Sequence, residues 1–495
     1  MFKTLRSVYD SRIVLGLLII AFPKILIWVI AWLYGHTQPG YMVPVWSDEL
    51  SLWHEVLSFS HKGLNFGYYT INELVPSYLS FGTHGFGTVS VYALFAKQFG
   101  WETSSIIIAN VFFLQIAYFF FLLLVLPTTT KQLIYILLFS VSFIPLILFF
   151  STSMSELLNY SVILVYFGLL YRYFKQGWKL LFVALAVFCV WISFIRIIYI
   201  VLFLPVLFKR KTEFQLDKKF FFHLLLWLIS GVILFVLNNL FVSPYPDSFL
   251  NELFSSVGIG QFISNFAVHF FQNTVNFINP VFENLIQVLE RYFTIFIMIY
   301  SLLKSNILHL KRKKIEFDFF IVFLILILFV VINIAAYDVF DWRDYRVLAP
   351  VLFGCILFLI INGKHFISNS TLIINVCVVI VLIFSPSVVE SFKEERFTKP
   401  IVNKILSEIK YENNAISKFD NTIVVNHFTA SVLLNIPAGI GVTYCENISD
   451  KLKSRFVFSD KEIKLSTYKL INSNKSGYLY QKDVDNRTKS QDPNL

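Results

Sequence analysis

Residues 13–34 read IVLGLLIIAFPKILIWVIAWLY, and this run decides which solvent the chain is built for. A helix that crosses a bilayer needs about twenty mostly apolar residues. The run is nearly that long, follows a basic start (Lys3, Arg6, Arg12) and ends in Trp-Leu-Tyr with no small-residue cleavage site. It therefore reads as an uncleaved first helix rather than a signal peptide. Pro23-Lys24 interrupts it midway, as either a kink with a snorkelling lysine or a functional intramembrane charge.

The rest of the chain agrees with that solvent. Of 495 residues, 57% are hydrophobic, 56 are Phe and only 15% are charged, and the mean hydropathy is +0.68. A soluble domain of this length carries more charge. The net charge of +10 is explained by Lys and Arg gathering in cytoplasmic loops, with no soluble basic patch of the kind that binds nucleic acid. Cys189, Cys355 and Cys377 lie in apolar runs and Cys445 stands apart, so neither a disulfide framework nor a metal-type spacing is present.

Further apolar runs at 104–126, 131–150, 157–173, 178–194, 197–208, 220–242, 286–303, 319–336, 347–362 and 368–386 predict a polytopic α-helical protein with about eleven transmembrane helices. Residues 178–208 are too long for one pass. Two short passes turning at Arg196 keep Lys209-Arg210-Lys211 on the same side as Lys311-Arg312-Lys313-Lys314. The resulting topology has the N-terminus in the cytoplasm and the C-terminus outside.

Three outer segments are large. The first, 35–103, carries helical patterns at 48–59 and 86–99, expected to lie at the membrane interface. The second, from Ser243 to about Leu285, places Gln261, Asn265, His269, Gln272, Asn273 and Asn276 on one helical face opposite Phe and Ile, again an interfacial pattern. The third, from Ser387, has strand-like runs at 422–425, 463–470 and 477–480, which predict a small extracytoplasmic α/β domain ending in a disordered tail after about Lys482. The division expected is a transmembrane domain over 1–386 and an outer domain over 387–495.

Candidate chemistry gathers on the outer side. Asp48-Glu49 follows the first span and opens a helical pattern. The pair can cap a helix, or supply a general base and metal ligands together with His54, His61, Glu73 and His84. Arg196 is isolated between apolar runs, as a helix-end anchor or as a ligand for phosphate or carboxylate. Arg343 and Arg346 alternate with Asp338, Asp341 and Asp344, either as a self-satisfied ionic cluster or as guanidinium forks for a phosphate. Glu156, in the turn after Met154, adds a carboxylate on the same side.

The order of these elements, with Phe81-Gly-Thr-His84-Gly85-Phe86 leading into Tyr92–Trp101, then Arg196, then Trp342-Arg-Asp-Tyr345-Arg346-Val-Leu-Ala-Pro350, resembles the GT-C superfamily. Its members are multi-pass glycosyltransferases that use polyprenyl-phosphate sugars. The likeness covers nearly the whole chain in element order, through short motifs. It departs from branches that place Lys-Pro or Pro-Pro after the acidic pair, since His84-Gly85 stands at the comparable place.

The resemblance implies an inverting transfer. Asp48 deprotonates the acceptor hydroxyl or shares a divalent cation with Glu49, with His84 a further possible ligand. Arg196, Arg346, Arg343 and His84 stabilise the leaving polyprenyl phosphate, and Glu156 lies on the acceptor side. Within the superfamily, the build is similar to the serotype-converting glucosyltransferases that modify O-antigen in lipopolysaccharide at the bacterial inner membrane. The partners implied are a polyprenyl-phosphate sugar, a glycan or glycolipid acceptor and membrane lipids. A polysaccharide polymerase or ligase, or a flippase for a lipid-linked sugar, is the alternative; nearly charge-free spans weigh against a transporter.

Overall fold

The computed structural model describes residues 2–33, 42–65, 69–75, 81–82, 84–208, 218–243, 258–278, 285–305, 316–336, 345–364, 376–377, 379, 403–413, 415 and 417–483. In chain order its main helices are α1 (Phe2–Leu33), α2 (Ser47–Lys62), α3 (Gly85–Phe99), α4 (Ser105–Val125), α5 (Thr130–Ser142), α6 (Ile144–Leu148), α7 (Glu156–Gln176), α8 (Lys179–Ser193), α9 (Phe203–Val206), α10 (Lys218–Phe241), α11 (Ile259–Ile278), α12 (Leu285–Lys304), α13 (Phe317–Ala336) and α14 (Tyr345–Ile361). The strands are β1 (Tyr69–Ile71), β2 (Thr422–Val425), β3 (Gly441–Tyr444), β4 (Phe456–Ser459), β5 (Tyr468–Asn474) and β6 (Gly477–Lys482). The chain divides into two compact units. One comprises Met1–Pro39, Asn110–Leu234 and Asp247–Phe392; the other comprises Gly40–Ala109, Phe235–Pro246 and Lys393–Leu495.

The first unit is helical. Among the described residues five helices are long and apolar enough to cross a membrane: Ser11–Trp32, Ser105–Val125, Glu156–Gln176, Phe221–Phe241 and Phe317–Ala335. They coincide with five of the runs expected from hydropathy, whereas about eleven were expected. The difference has physical causes. The run 131–150 is not one helix, because α5 stops at Ser142 and Phe143 is extended before Pro145 in α6. Proline has no N–H to donate and clashes with the preceding turn. The second half of 178–208 folds as a 3-10 segment, Ile197–Leu202, followed by the single turn of α9. At 17 residues α14 is short for a span, and 368–386 lies almost entirely outside the described residues.

Helices α7 and α14 approach closely because Gly354 faces Phe167 and Ile163, where a β-carbon would overlap both side chains. Phe139 and Phe353 stack beside this contact with ring centroids 5.3 Å apart. Of the polar face expected for helix α11, Gln261, Asn265 and Gln272 are exposed. His269 and Asn273 are buried, with Asn273 Nδ2 donating to Ile334 O at 3.0 Å, while Ile263, Phe271 and Ile278 are exposed.

The second unit is built on a six-stranded sheet of order β1-β3-β2-β4-β6-β5. The first four strands are parallel, and β6 and β5 close one edge antiparallel. Parallel strands are covered on both faces, and the burial pattern agrees. Ile423, Val425, Val442 and Phe458 pack on one side, and Val424, Val457, Tyr468 and Tyr480 on the other. The strand-like runs at 422–425 and 477–480 are β2 and the start of β6. Of 463–470, only the end from Tyr468 is strand.

Residues Gly40–Ala109 belong to this unit together with Lys393–Leu495. Its β1 pairs with β3, Tyr69 opposite Val442. Asn72 and Glu73 turn through the left-handed region (φ 51° and 57°). The Glu73 carboxylate then accepts from Lys453 N, Ser454 N and Ser454 Oγ. Helix α2 is not the interfacial helix expected. Glu49 to Val56 are all buried, and Leu50 packs in the sheet's core with Ile405, Ile423 and Val442. An interfacial helix keeps a polar face in water; here the polar face is covered and its groups find partners inside the protein.

Candidate functional site

Helix α2 starts after Trp46, whose indole has no acceptor for helix-end N–H groups. Glu49, in the first turn, supplies one. Its Oε2 accepts from Val45 N at 2.8 Å and Trp46 N at 3.1 Å, the reach-back half of a capping box. The residue is completely buried. The structure thus places Glu49 at a helix cap. Replacing it with Ala leaves two N–H groups without their acceptor and is expected to lower stability by about 1–3 kcal/mol. A thermal melt identical to wild type would show that the cap contributes nothing.

Asp48 is the half-buried member of the pair, one position earlier, at the positive end of the helix dipole. Its backbone carbonyl accepts from Ser51 Oγ at 3.0 Å and lies 3.0 Å from His84 Nε2, which is also 3.2 Å from Ser51 Oγ. A carbonyl can only accept, so these contacts favour a proton on His84 Nε2. His84 precedes α3, and Gly85 N donates to Gly82 O across the turn that carries it. The structure therefore brings Asp48, Ser51 and His84 together. Ser51 escaped notice because a serine inside a helical pattern carries no signal of its own.

The other polar residues expected near Asp48 have different surroundings. His54 is buried beside the backbone of Ile436 and Pro437, and burial lowers its pKa to about 4. Glu55 is buried as well, which raises its carboxyl to about 8. At neutral pH both groups are uncharged. His61 Nδ1 lies 2.8 Å from Leu57 O and 3.1 Å from Ser60 Oγ. Glu73 is engaged by Lys453 and Ser454, as described. Among the described residues no group of three or more His, Cys, Asp or Glu side chains is arranged to hold a metal ion.

Arg196, Glu156 and Arg346 belong to the first unit. Arg196 Nη2 donates to Glu156 Oε1 at 2.8 Å, with the glutamate side chain 2% and the arginine side chain 20% exposed. One turn along each segment, Tyr199 OH donates to Asn159 Oδ1 at 2.9 Å. Tyr199 N donates to Arg196 O, so the start of the 3-10 segment is tied to the first turn of α7 by two rungs. Glu156 Oε2 has no hydrogen-bond partner among the described residues. The two residues read separately as an acceptor-side carboxylate and a phosphate ligand are each other's counter-ion. Arg346 lies in the first turn of α14 and is half-buried. Arg343 lies outside the described residues.

A buried Arg–Glu pair holds the guanidinium plane in one orientation. A helix-start carboxylate beside a histidine can accept or relay a proton. Those are the two chemical capacities on view, one in each unit.

No protein-family model and no curated protein matches the chain. Among solved structures, it is similar to the crystal structure of ArnT from Cupriavidus metallidurans bound to undecaprenyl phosphate, with a TM-score of 0.49 and 10% sequence identity over 94% of this chain and 97% of that one.

Proposed function

We propose that this protein is a membrane glycosyltransferase of the hexosyltransferase type. It transfers a sugar with inversion from a polyprenyl-phosphate donor to a surface-glycan acceptor such as O-antigen, on the outer face of the bacterial inner membrane. The observation that carries the reading is the division of labour at the start of α2. Glu49 takes the capping role that would otherwise explain an adjacent acid pair, while Asp48 stays half-buried with His84 against its turn. The motif resemblance set out above supplies the reaction class.

In this reaction the Asp48 carboxylate takes the proton of an acceptor hydroxyl as its oxygen attacks the anomeric carbon. The bond from that carbon to the phosphate oxygen breaks, and polyprenyl phosphate leaves with the bonding pair. Cationic groups act where this charge develops. Arg196, oriented by Glu156, and Arg346, with Arg343, are proposed for the phosphate. His84 is proposed to orient Asp48's turn. A divalent cation shared by Asp48, Glu49 and His84 fits poorly, since Glu49 faces backbone N–H groups and His84 a carbonyl; the steps above use none.

Loss of Arg346 removes a charge-assisted hydrogen bond of about 1.5–3 kcal/mol, so Arg346→Ala is expected to raise the KM for the donor by about 10–100-fold. The test of function is glycan analysis of cells with and without the gene, followed by release of polyprenyl phosphate from defined polyprenyl-phosphate sugars by protein in nanodiscs. Identical glycans together with no release from any donor would overturn the assignment.

A further inference from the structure

Asp48, Ser51 and Glu55 are spaced by three and four residues, so they share one face of α2. The turn carrying His84 lies along that face and is attached at both ends. At the Asp48 end, His84 Nε2 is 3.0 Å from Asp48 O and 3.2 Å from Ser51 Oγ. At the other end, Gly82 N donates to Glu55 Oε1, and Gly82 O accepts from Gly85 N at 3.1 Å. One residue thus connects Glu55 to the hydrogen bond that closes the turn around His84.

The fit at Gly82 is tight. A β-carbon there would stand 2.9 Å from Glu55 Oε2 and 3.0 Å from Tyr69 Cβ, closer than ordinary van der Waals contact. Phe81 holds the far side, its carbonyl accepting from Ser243 N and Oγ. Glu55 is 1% exposed, and its Oε2 has no hydrogen-bond partner among the described residues. A buried carboxyl with one N–H donor is expensive unless it has a task.

We infer that Glu55 is a positioning residue, which through Gly82 sets His84 against the Asp48–Ser51 turn. The inference rests on Asp48 being the base of the proposed reaction. Because burial raises the Glu55 carboxyl to about 8, with the Gly82 N–H pulling the other way, the residue does this as a neutral acid. Among the described residues, His54 precedes it on α2 and Tyr69 of β1 packs at Gly82. Burial keeps His54 uncharged near neutral pH, so it offers no positive charge there. Ionisation above about pH 8 leaves a buried charge with a single donor, and the carboxylate draws in water and loosens the turn.

The sign follows. Glu55 is raised above its ordinary 4.5 in the folded protein. Its contribution to stability is therefore full below about 4.5 and is lost as pH climbs to about 8.

The test uses the full chain in nanodiscs, with His84 modification by diethyl pyrocarbonate read by peptide mass spectrometry at pH 7 and pH 9, alongside kcat for transfer. Opening the turn lets the buried acid ionise in water, so opening becomes about tenfold more frequent for each pH unit until the folded value of about 8 is passed, and wild type is expected to be modified about tenfold faster, relative to a free-histidine control, at pH 9 than at pH 7. Glu55→Gln, neutral at both values, stays slow at both. Glu55→Ala and Gly82→Ala are fast at both, with lowered kcat. Glu55→Gln following the wild-type pH dependence overturns the inference, as do wild-type rates in both Glu55→Ala and Gly82→Ala. If those two fail to fold, the Glu55→Gln comparison alone decides. Asp48→Asn separates the two ideas. If it stays active while His84 behaves as described, the positioning stands and the catalytic reading fails. If it is inactive while His84 is indifferent to Glu55, the reverse holds.

Discussion

Replacing Asp48 with Asn is expected to lower sugar transfer by about 10²–10⁴-fold, the usual contribution of a positioned general base, without moving the melting temperature. Asparagine keeps the shape and the helix-start preference of aspartate but cannot take the acceptor's proton. The cap survives because Glu49, not Asp48, accepts from Val45 N and Trp46 N. The contacts of His84 survive because they run to the Asp48 backbone carbonyl and to Ser51 Oγ. The measurement is kcat for release of polyprenyl phosphate beside a thermal melt of the same preparation. Full activity in the variant removes Asp48 from the reaction. A lowered melting temperature with lowered activity would instead make the residue structural.

How much of this was legible in advance depends on whether the signal is local. The spans around α1, α4, α7, α10 and α13 were readable because a long, mostly apolar stretch is a compositional fact. The extents of α2 and α3 were readable from helical patterns of the right length. Strands β2 and β6 were readable from short apolar runs between turns.

Strand β1 was not, since Tyr69-Thr70-Ile71 is three residues long and is a strand only because Val442–Tyr444 lies beside it. Nor was the burial of α2. Its polar residues look like a wetted face until Ser58 Oγ is seen accepting from Gly439 N and Glu55 accepting from Gly82 N. Such partners are hundreds of residues away or within a turn whose shape no pattern announces. Arg196 and Glu156 each stood out singly, because a lone charge among apolar residues demands an explanation. That each explains the other became visible only when positions 40 apart in the chain were folded together.

That pairing leads to the second large effect. Arg196→Ala leaves Glu156, 2% exposed, as a buried charge without its counter-ion, and breaking such a pair costs about 3–5 kcal/mol. The Tyr199–Asn159 bond one turn away depends on the same alignment of the 3-10 segment with α7, so the loss spreads along both rungs. Removing both charges is different in kind. Glu156→Gln combined with Arg196→Gln removes the uncompensated charge, and since paired replacement of buried ions is often neutral, most of the lost stability returns. The double variant thereby separates scaffold from chemistry. If the guanidinium serves the leaving phosphate, transfer stays depressed by about 10²-fold or more in a protein that melts normally, as expected when an electrostatic stabiliser is removed. If the double variant is both stable and fully active, Arg196 serves only to hold the turn after α8 onto α7, and the phosphate must be met by other cations.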